Sequence, residues 1–264
     1  MIFASDLDRT IIYSTRAVEE LGGPNITDLM PVERRDGMWM AYMTEPSYQA
    51  LTELSRSSLF VPVTTRTTEQ FKRFIIFDEN IHLPYVITTN GAVIMYKGKP
   101  LPEWSDHISK AVDEESTAPE ELRSIIRREG IELNGRLKQV GNLFFYYILD
   151  CFPTIDEIAK LRALAAQLGW RISLQGRKLY CLPSAIRKGA ALEFICHREQ
   201  KKAIAGAGDS ILDLDFLDIC QHRLVPGHGE LGKMSDTKGL TFTNQTGVQA
   251  GEEILQIFLK LLKG

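Results

Sequence analysis

Three short apolar runs, residues 1–5 (MIFAS), 59–64 (LFVPVT) and 84–89 (PYVITT), are each followed by polar residues, with stretches of helical spacing between them. Runs this brief and this evenly apolar read as strands buried on both faces rather than as helices. Between them the spacing predicts helices over 46–58, with Pro46 near the start and Leu51 and Leu54 on one face, and over 69–77. The third run ends at the turn pair Asn90-Gly91. Alternating strand and helix argues for a parallel sheet covered by helices on both faces, a Rossmann-like doubly wound α/β core.

Residues 98–183 change character and read as helix, hairpin, helix, hairpin. Helices are predicted over 103–112 and 119–129, the second stopped by Gly130, and a hairpin over 135–150 around Gly141-Asn142. Ile155, Ile158, Leu161, Ala165 and Leu168 keep helical spacing, and two short strands follow across Gln175-Gly176-Arg177. After Pro183 the core pattern resumes with a helix over 187–197, a strand over 203–207, a helix over 212–219 and a last one over 248–262. The expected organisation is a discontinuous core, 1–97 and 184–264, with a second, α+β domain over 98–183 inserted into it.

Composition excludes several function classes. A net charge of −3 and only short, scattered basic pairs give no footprint for nucleic acid. No apolar stretch approaches the roughly 18–20 residues of a membrane span, and Met1-Ile2-Phe3-Ala4 runs at once into acidic residues, unlike a secretory leader. Cys151, Cys181, Cys196 and Cys220 form no CxxC pair, which points to reduced thiols in a cytoplasmic protein. The five histidines show no metal-ligand spacing, and His228, in a glycine-rich loop, is the one with a mild claim to a role.

Chemistry concentrates where strands end, as open α/β sheets require. In Asp6-Leu7-Asp8-Arg9-Thr10 two carboxylates two residues apart can divide the work, one attacking phosphorus and the other handling protons. Thr64-Thr65-Arg66 offers hydroxyls for phosphoryl oxygens, and Lys188 a fixed positive charge at a helix start. Gly208-Asp209-Ser210 with Asp213 supplies acidic oxygens suited to Mg²⁺, a hard cation.

These four clusters, in this order, resemble the four motifs of the haloacid dehalogenase superfamily. The first matches DxDxT; Thr64 matches the second-motif hydroxyl and Lys188 the third-motif lysine; Gly208-Asp209-Ser210-x-x-Asp213 matches GDSxxD. Thr-x-Arg at 64–66, Asn90-Gly91-Ala92 and Lys188-Gly189 are similar to the large-cap sugar-phosphatase branch, with its Cof-type, sucrose-phosphate and mannosyl-phosphoglycerate phosphatases. The chain departs from the pattern at Arg9, where glycine is common, at Thr65, where TGR has glycine, and at Leu212, where GDSxND has asparagine.

The resemblance implies a mechanism. Asp6 forms an aspartyl-phosphate; Asp8 protonates the leaving oxygen and then activates water. Thr64 and Lys188 bind the phosphoryl group, and Arg66 and Asn90 contact substrate. Mg²⁺ takes Asp6, the Asp8 backbone carbonyl and Asp209, with Asp213 a direct or indirect ligand. The partner is then a small phosphate ester, a sugar phosphate foremost; the alternatives are a sugar phosphomutase and a non-catalytic ligand-binding protein. Residues 14–45 form a long link after the first strand, with a hairpin around Asp36-Gly37; we expect it to act as an extra lid that brings Arg34 or Arg35 near substrate.

Overall fold

A computed structural model describes residues 1–234 and 236–264. The chain divides into two compact units, Met1–Leu101 with Lys188–Gly264, and Pro102–Arg187. In chain order the first stretch carries β1 (Ile2–Ser5), β2 (Tyr13–Ser14), α1 (Thr15–Leu21), β3 (Met30–Arg35), β4 (Met38–Met43), α2 (Glu45–Ser57), β5 (Leu59–Pro62), α3 (Thr68–Phe71), α4 (Ile76–Glu79), β6 (Tyr85–Thr88), β7 (Val93–Tyr96) and β8 (Lys99–Pro100). The second unit holds α5 (Pro102–Glu115), α6 (Pro119–Arg128), β9 (Gly135–Val140), β10 (Phe144–Leu149), α7 (Ile155–Gln167), β11 (Trp170–Gln175) and β12 (Lys178–Pro183). The first unit then resumes with α8 (Lys188–Glu199), β13 (Ala203–Ala207), α9 (Leu214–Leu217), β14 (His222–Val225), β15 (Thr241–Phe242) and α10 (Gly247–Lys263).

The first unit is built on a parallel sheet in the order β15-β14-β13-β1-β5. Every residue of β1 and β5 is buried, as strands covered on both faces must be. Phe3 and Phe60 of the sheet share one apolar cluster with Leu51 and Leu54 of α2 and Ile254, Leu255 and Phe258 of α10. β6 continues beyond β5 through a single parallel bridge, Val63 to Ile87, and forms an antiparallel sheet with β7 and β8. The chain leaves β1 toward β5 on one side and returns to β13 on the other. That reversal of winding opens a crevice at the carboxyl ends of β1 and β13.

Residues 13–43 add a small antiparallel sheet in the order β2-β4-β3. Its hairpin turns at Asp36 (φ 50°) and Gly37 (φ 81°), two consecutive left-handed residues of the kind a tight two-residue connection needs. Val32, Ala41 and Met43 bury in the core cluster, so one face of this sheet is part of the unit's interior. Arg34 and Arg35 are both exposed; the first lies over the Trp39 ring at 5.6 Å and the second pairs with Asp36.

Two sequence expectations change, and two short strands were not expected. The helix expected over 69–77 is two short ones, α3 and α4, because β3 captures the backbone between them: Arg34 N–H donates to Arg73 O (2.9 Å) and Ile75 N–H to Val32 O (3.1 Å). The unit boundaries fall after Leu101 and before Lys188 rather than at 97/98 and 183/184. β8 pairs with β7 and Leu101 N–H reaches Ile94 O, while Ile186 O accepts from Arg171 and Ser184 N–H donates to Gly169 O. β14 and β15, four and two residues long, carry too little pattern to be read beforehand.

The second unit is an antiparallel sheet in the order β11-β12-β10-β9 together with α5, α6 and α7. Trp104 and Trp170 are both buried, and the Trp170 indole N–H donates to Thr117 O at 3.0 Å. Of the α7 stripe, Ile158, Leu161 and Ala165 are buried, but Ile155 at the first turn is 88% exposed. Among the described residues, no helix is long and apolar enough to cross a membrane.

Candidate active site

β1 and β13 pair in parallel, Ser5 beside Ala207, and the Asp6 N–H donates to Ala207 O at 2.8 Å. The ladder therefore delivers Asp6 and Asp209 side by side, just past the ends of neighbouring strands. Asp6 is 5% exposed. Its Oδ1 accepts from the Lys188 Nζ at 2.8 Å, and its Oδ2 makes a longer contact of 3.4 Å with the Thr10 hydroxyl. Lys188, the first residue of α8, is fully enclosed and also donates to Asp213 Oδ1 at 2.5 Å.

Asp213 has both oxygens engaged. Its Oδ2 accepts from the backbone N–H and the hydroxyl of Ser210, at 2.9 and 2.8 Å, which caps the turn that follows. Gly208 allows this close packing: a Cβ there would lie 2.4 Å from the Asp213 Cβ. The arrangement makes Asp213 an anchor for Lys188 beside the carboxylates of Asp6 and Asp209.

One oxygen each of Asp6, Asp209 and Asp213 lie within 4.8 Å of one another. Three carboxylates against one ammonium leave two negative charges in a buried place, and the pKa values record it. Burial, opposed by Lys188 and reinforced by Asp213 and Asp8, raises that of Asp6 to about 7. Asp209 is raised well above its ordinary value by burial and then by Asp6 and Asp213. The Lys188 pKa is raised too: burial works against its charge, but Asp213 and Asp6 outweigh burial. The lysine has two anions to itself, whereas each anion has a share of one cation and a like-charged neighbour. Hard oxygen donors with unmet negative charge fit a hard divalent cation such as Mg²⁺.

Asp8, the second carboxylate of the first motif, faces a different partner. Arg66 meets it side-on with two bonds, Nε to Oδ2 and Nη2 to Oδ1, both 2.7 Å. The same guanidinium reaches Glu33 of β3, Nη1 to Oε1 at 2.6 Å and Nη2 to Oε2 at 3.0 Å, and lies over the Phe74 ring at 4.2 Å. Burial opposes the charge on Arg66, but the bonds and charges of Asp8 and Glu33 outweigh it, and its pKa is raised. In this arrangement Arg66 is engaged by protein carboxylates on both edges.

Thr64 is buried beyond β5, and its hydroxyl accepts from the Arg66 N–H at 3.1 Å while keeping its own proton to donate. Asn90 lies beside it in space: its N–H donates to Thr64 O (3.1 Å), and the Thr89 N–H donates to Arg66 O (2.7 Å). Thr89 and Asn90 both have positive φ, 56° and 57°. The Asn90 side-chain amide is buried and finds no hydrogen-bond partner among the described residues.

Two residues outside the expected set support the first motif. His228 Nδ1 accepts from the Gly247 N–H at 3.1 Å, so its Nε2 carries the proton and donates to Arg9 O at 2.9 Å. Glu33 is the other. In β3 both Val32 and Glu33 are buried: the strand pairs with β4 along one edge and is bridged to Phe74 along the other. Nothing in the run MPVERR announces it, because the partner that buries Glu33 is Arg66, far along the chain.

No protein-family model and no curated protein matches this chain. Solved structures do. The sucrose-phosphatase of Synechocystis sp. PCC6803, in complex with sucrose and phosphate, aligns with a TM-score of 0.70 at 15% identity, covering 98% of this chain and 97% of that one. The haloacid dehalogenase-like hydrolase yhjK of Bacillus subtilis aligns at 0.56 and 12% identity, over 99% and 90% of the two chains. Another such hydrolase, from Bacteroides thetaiotaomicron, aligns at 0.52 and 10% identity, over 96% and 98%. At these identities the likeness is one of fold, and it agrees with the sheet order and the strand-end carboxylates: the chain has the haloacid dehalogenase-like fold, an α/β Rossmann-like core with an inserted cap domain.

Proposed function

We propose that this protein is a magnesium-dependent phosphohydrolase that cleaves a small phosphate monoester, a sugar phosphate foremost, through an aspartyl-phosphate on Asp6. The observation that carries the reading is the buried cluster of Asp6, Lys188, Asp213 and Asp209 at the ends of adjacent parallel strands. The fold it shares with a sucrose-phosphatase that binds sucrose and phosphate favours a sugar phosphate as substrate.

In the first step an Asp6 oxygen attacks phosphorus, the bond from phosphorus to the ester oxygen breaks, and Asp8 gives that oxygen its proton. In the second, Asp8 takes a proton from water, the water oxygen attacks, and the Asp6 carboxylate is released with inorganic phosphate. Lys188 places positive charge beside Asp6 where negative charge gathers, and the Thr64 hydroxyl donates to a phosphoryl oxygen. Asp6 and Asp209, with the Asp8 backbone carbonyl, would hold Mg²⁺, and Asp213 would keep Lys188 in place. When bound, the ion supplies charge neutralisation for the phosphoryl oxygens. The four free cysteines fit a reducing, cytoplasmic setting, and the chain's charge fits a small-molecule rather than a nucleic-acid partner.

Phosphate release from a panel of sugar phosphates, nucleotides and phosphoglycerates, with Mg²⁺ or with chelator, tests the reading. Release that needs the metal and vanishes in Asp6→Asn is the expected result. Release that survives Asp6→Asn removes the aspartyl-phosphate, and bisphosphate-dependent isomerisation of a sugar phosphate without net phosphate release points to a mutase.

A further inference from the structure

The mechanism leaves one buried carboxylate without a task. Glu33 is 5% exposed, sits in β3 where the pairing with β4 shifts register, and meets Arg66 with two hydrogen bonds of 2.6 and 3.0 Å. Arg66 in turn holds both oxygens of Asp8. Asp8 is half exposed and would otherwise be free to rotate, since Arg66 is its side-chain hydrogen-bond partner among the described residues. A guanidinium bonded side-on fixes the plane of a carboxylate as well as its place, which a lysine would not. A guanidinium bonded on one edge alone can still swing about its own side chain. Glu33 on the other edge and the Phe74 ring against its face remove that freedom. β3 itself is tied down by the bonds from Arg34 to Arg73 and from Ile75 to Val32, so the carboxylate stands on a fixed base.

We propose that Glu33 is a positioning residue for proton transfer: through Arg66 it sets the orientation of the Asp8 carboxylate toward the leaving oxygen and then toward water. The inference rests on the reading of Asp8 as the proton donor and acceptor. It gives the 30–43 hairpin a catalytic task that runs through the buried Glu33 rather than through the exposed Arg34 and Arg35.

The test uses two esters that differ in their need for a proton. The glucose of glucose 6-phosphate leaves as an alkoxide unless its oxygen is protonated, whereas the nitrophenol of p-nitrophenyl phosphate leaves as a stable phenolate. In Glu33→Ala and Glu33→Gln we expect turnover of glucose 6-phosphate to fall about 10- to 100-fold with little change in KM, the scale of a misplaced catalytic group. With p-nitrophenyl phosphate the first step is spared and the second is not, so about one equivalent of nitrophenol per site appears in a burst before a slow steady state. Glu33→Ala added to Arg66→Ala should cost nothing further, because the first acts through the second.

Wild-type rates in both Glu33 variants overturn the proposal. So does equal slowing of both esters without a burst, together with a lowered melting temperature, which is what a merely structural ion pair would give. Asp8→Asn, run alongside, separates the two readings. If it keeps full turnover of glucose 6-phosphate, the role of Asp8 fails; if it gives the burst and the Glu33 variants do not, only the present proposal fails. A wild-type chain inert toward both esters and toward the whole panel of sugar phosphates, nucleotides and phosphoglycerates removes the proposal together with the reading beneath it.

Discussion

Arg9 lies between the two carboxylates of the first motif with φ 64°, a left-handed conformation that glycine adopts freely and other residues at a cost of about 1–2 kcal/mol. The turn holds because Arg9 N–H donates to Ile12 O (2.8 Å), His228 donates to Arg9 O, and the side chain pairs with Glu20 at the surface. The glycine usual in this motif is thus a conformational requirement that this chain meets by other means. Comparing Arg9→Gly with Arg9→Ala isolates the backbone effect, since both remove the Glu20 pair. The glycine variant should be more stable by about 1 kcal/mol in denaturant unfolding, and equal stabilities would show that the turn relaxes. His228 adds a pH dependence of its own. Burial lowers its pKa, and a proton on Nδ1 would face the Gly247 N–H that this nitrogen accepts. A lowered histidine pKa means the unfolded chain binds the proton first, so this residue's contribution is lost as pH falls below the ordinary histidine range. His228→Gln should flatten that part of the stability curve.

At the scale of elements, the motifs were legible because each is one local run at the end of a strand: Asp6 after β1, Thr64 after β5, Asp209 after β13, Lys188 opening α8. Apolar strand and polar exit are adjacent in the chain, and no tertiary knowledge is needed to pair them. Glu33 and the break between α3 and α4 are the opposite case. Both arise where β3 lies against residues 73–75, forty positions further along, and the backbone bonds made there override local spacing. The hairpin that makes these contacts depends on its turn. Gly37 has φ 81° and open space where a Cβ would go, so Gly37→Ala brings backbone strain without a clash. We expect a loss of about 1 kcal/mol, measured by denaturant unfolding. A loss well above that would mean that the strand register moves as well.

For the molecule as a whole, the order β13-β1-β5 determines that one crevice gathers carboxylates from separated parts of the chain, and the fold bears the resulting repulsion. The pKa of Asp6 is raised to about 7 and that of Asp209 is also raised, so the folded state holds protons that the unfolded chain has released. Groups of this kind contribute most below the unfolded carboxylate range, and the contribution is lost as pH rises from about 4 through about 7. A divalent cation reverses the loss by replacing the missing protons, so Mg²⁺ should raise the melting temperature more at about pH 8 than at about pH 5. Asp209→Asn then separates site from scaffold. It removes one repelling charge and leaves the Lys188 bonds to Asp6 and Asp213 intact. Without metal, near pH 8, this variant should melt above the wild type; with Mg²⁺ it should gain little, and the order of the two proteins should invert. A site that trades stability for ligand affinity behaves in this way. If Asp209→Asn melts below the wild type without metal, the carboxylates are not in unrelieved repulsion; if it keeps the full Mg²⁺ shift, Asp209 is not where the ion is held.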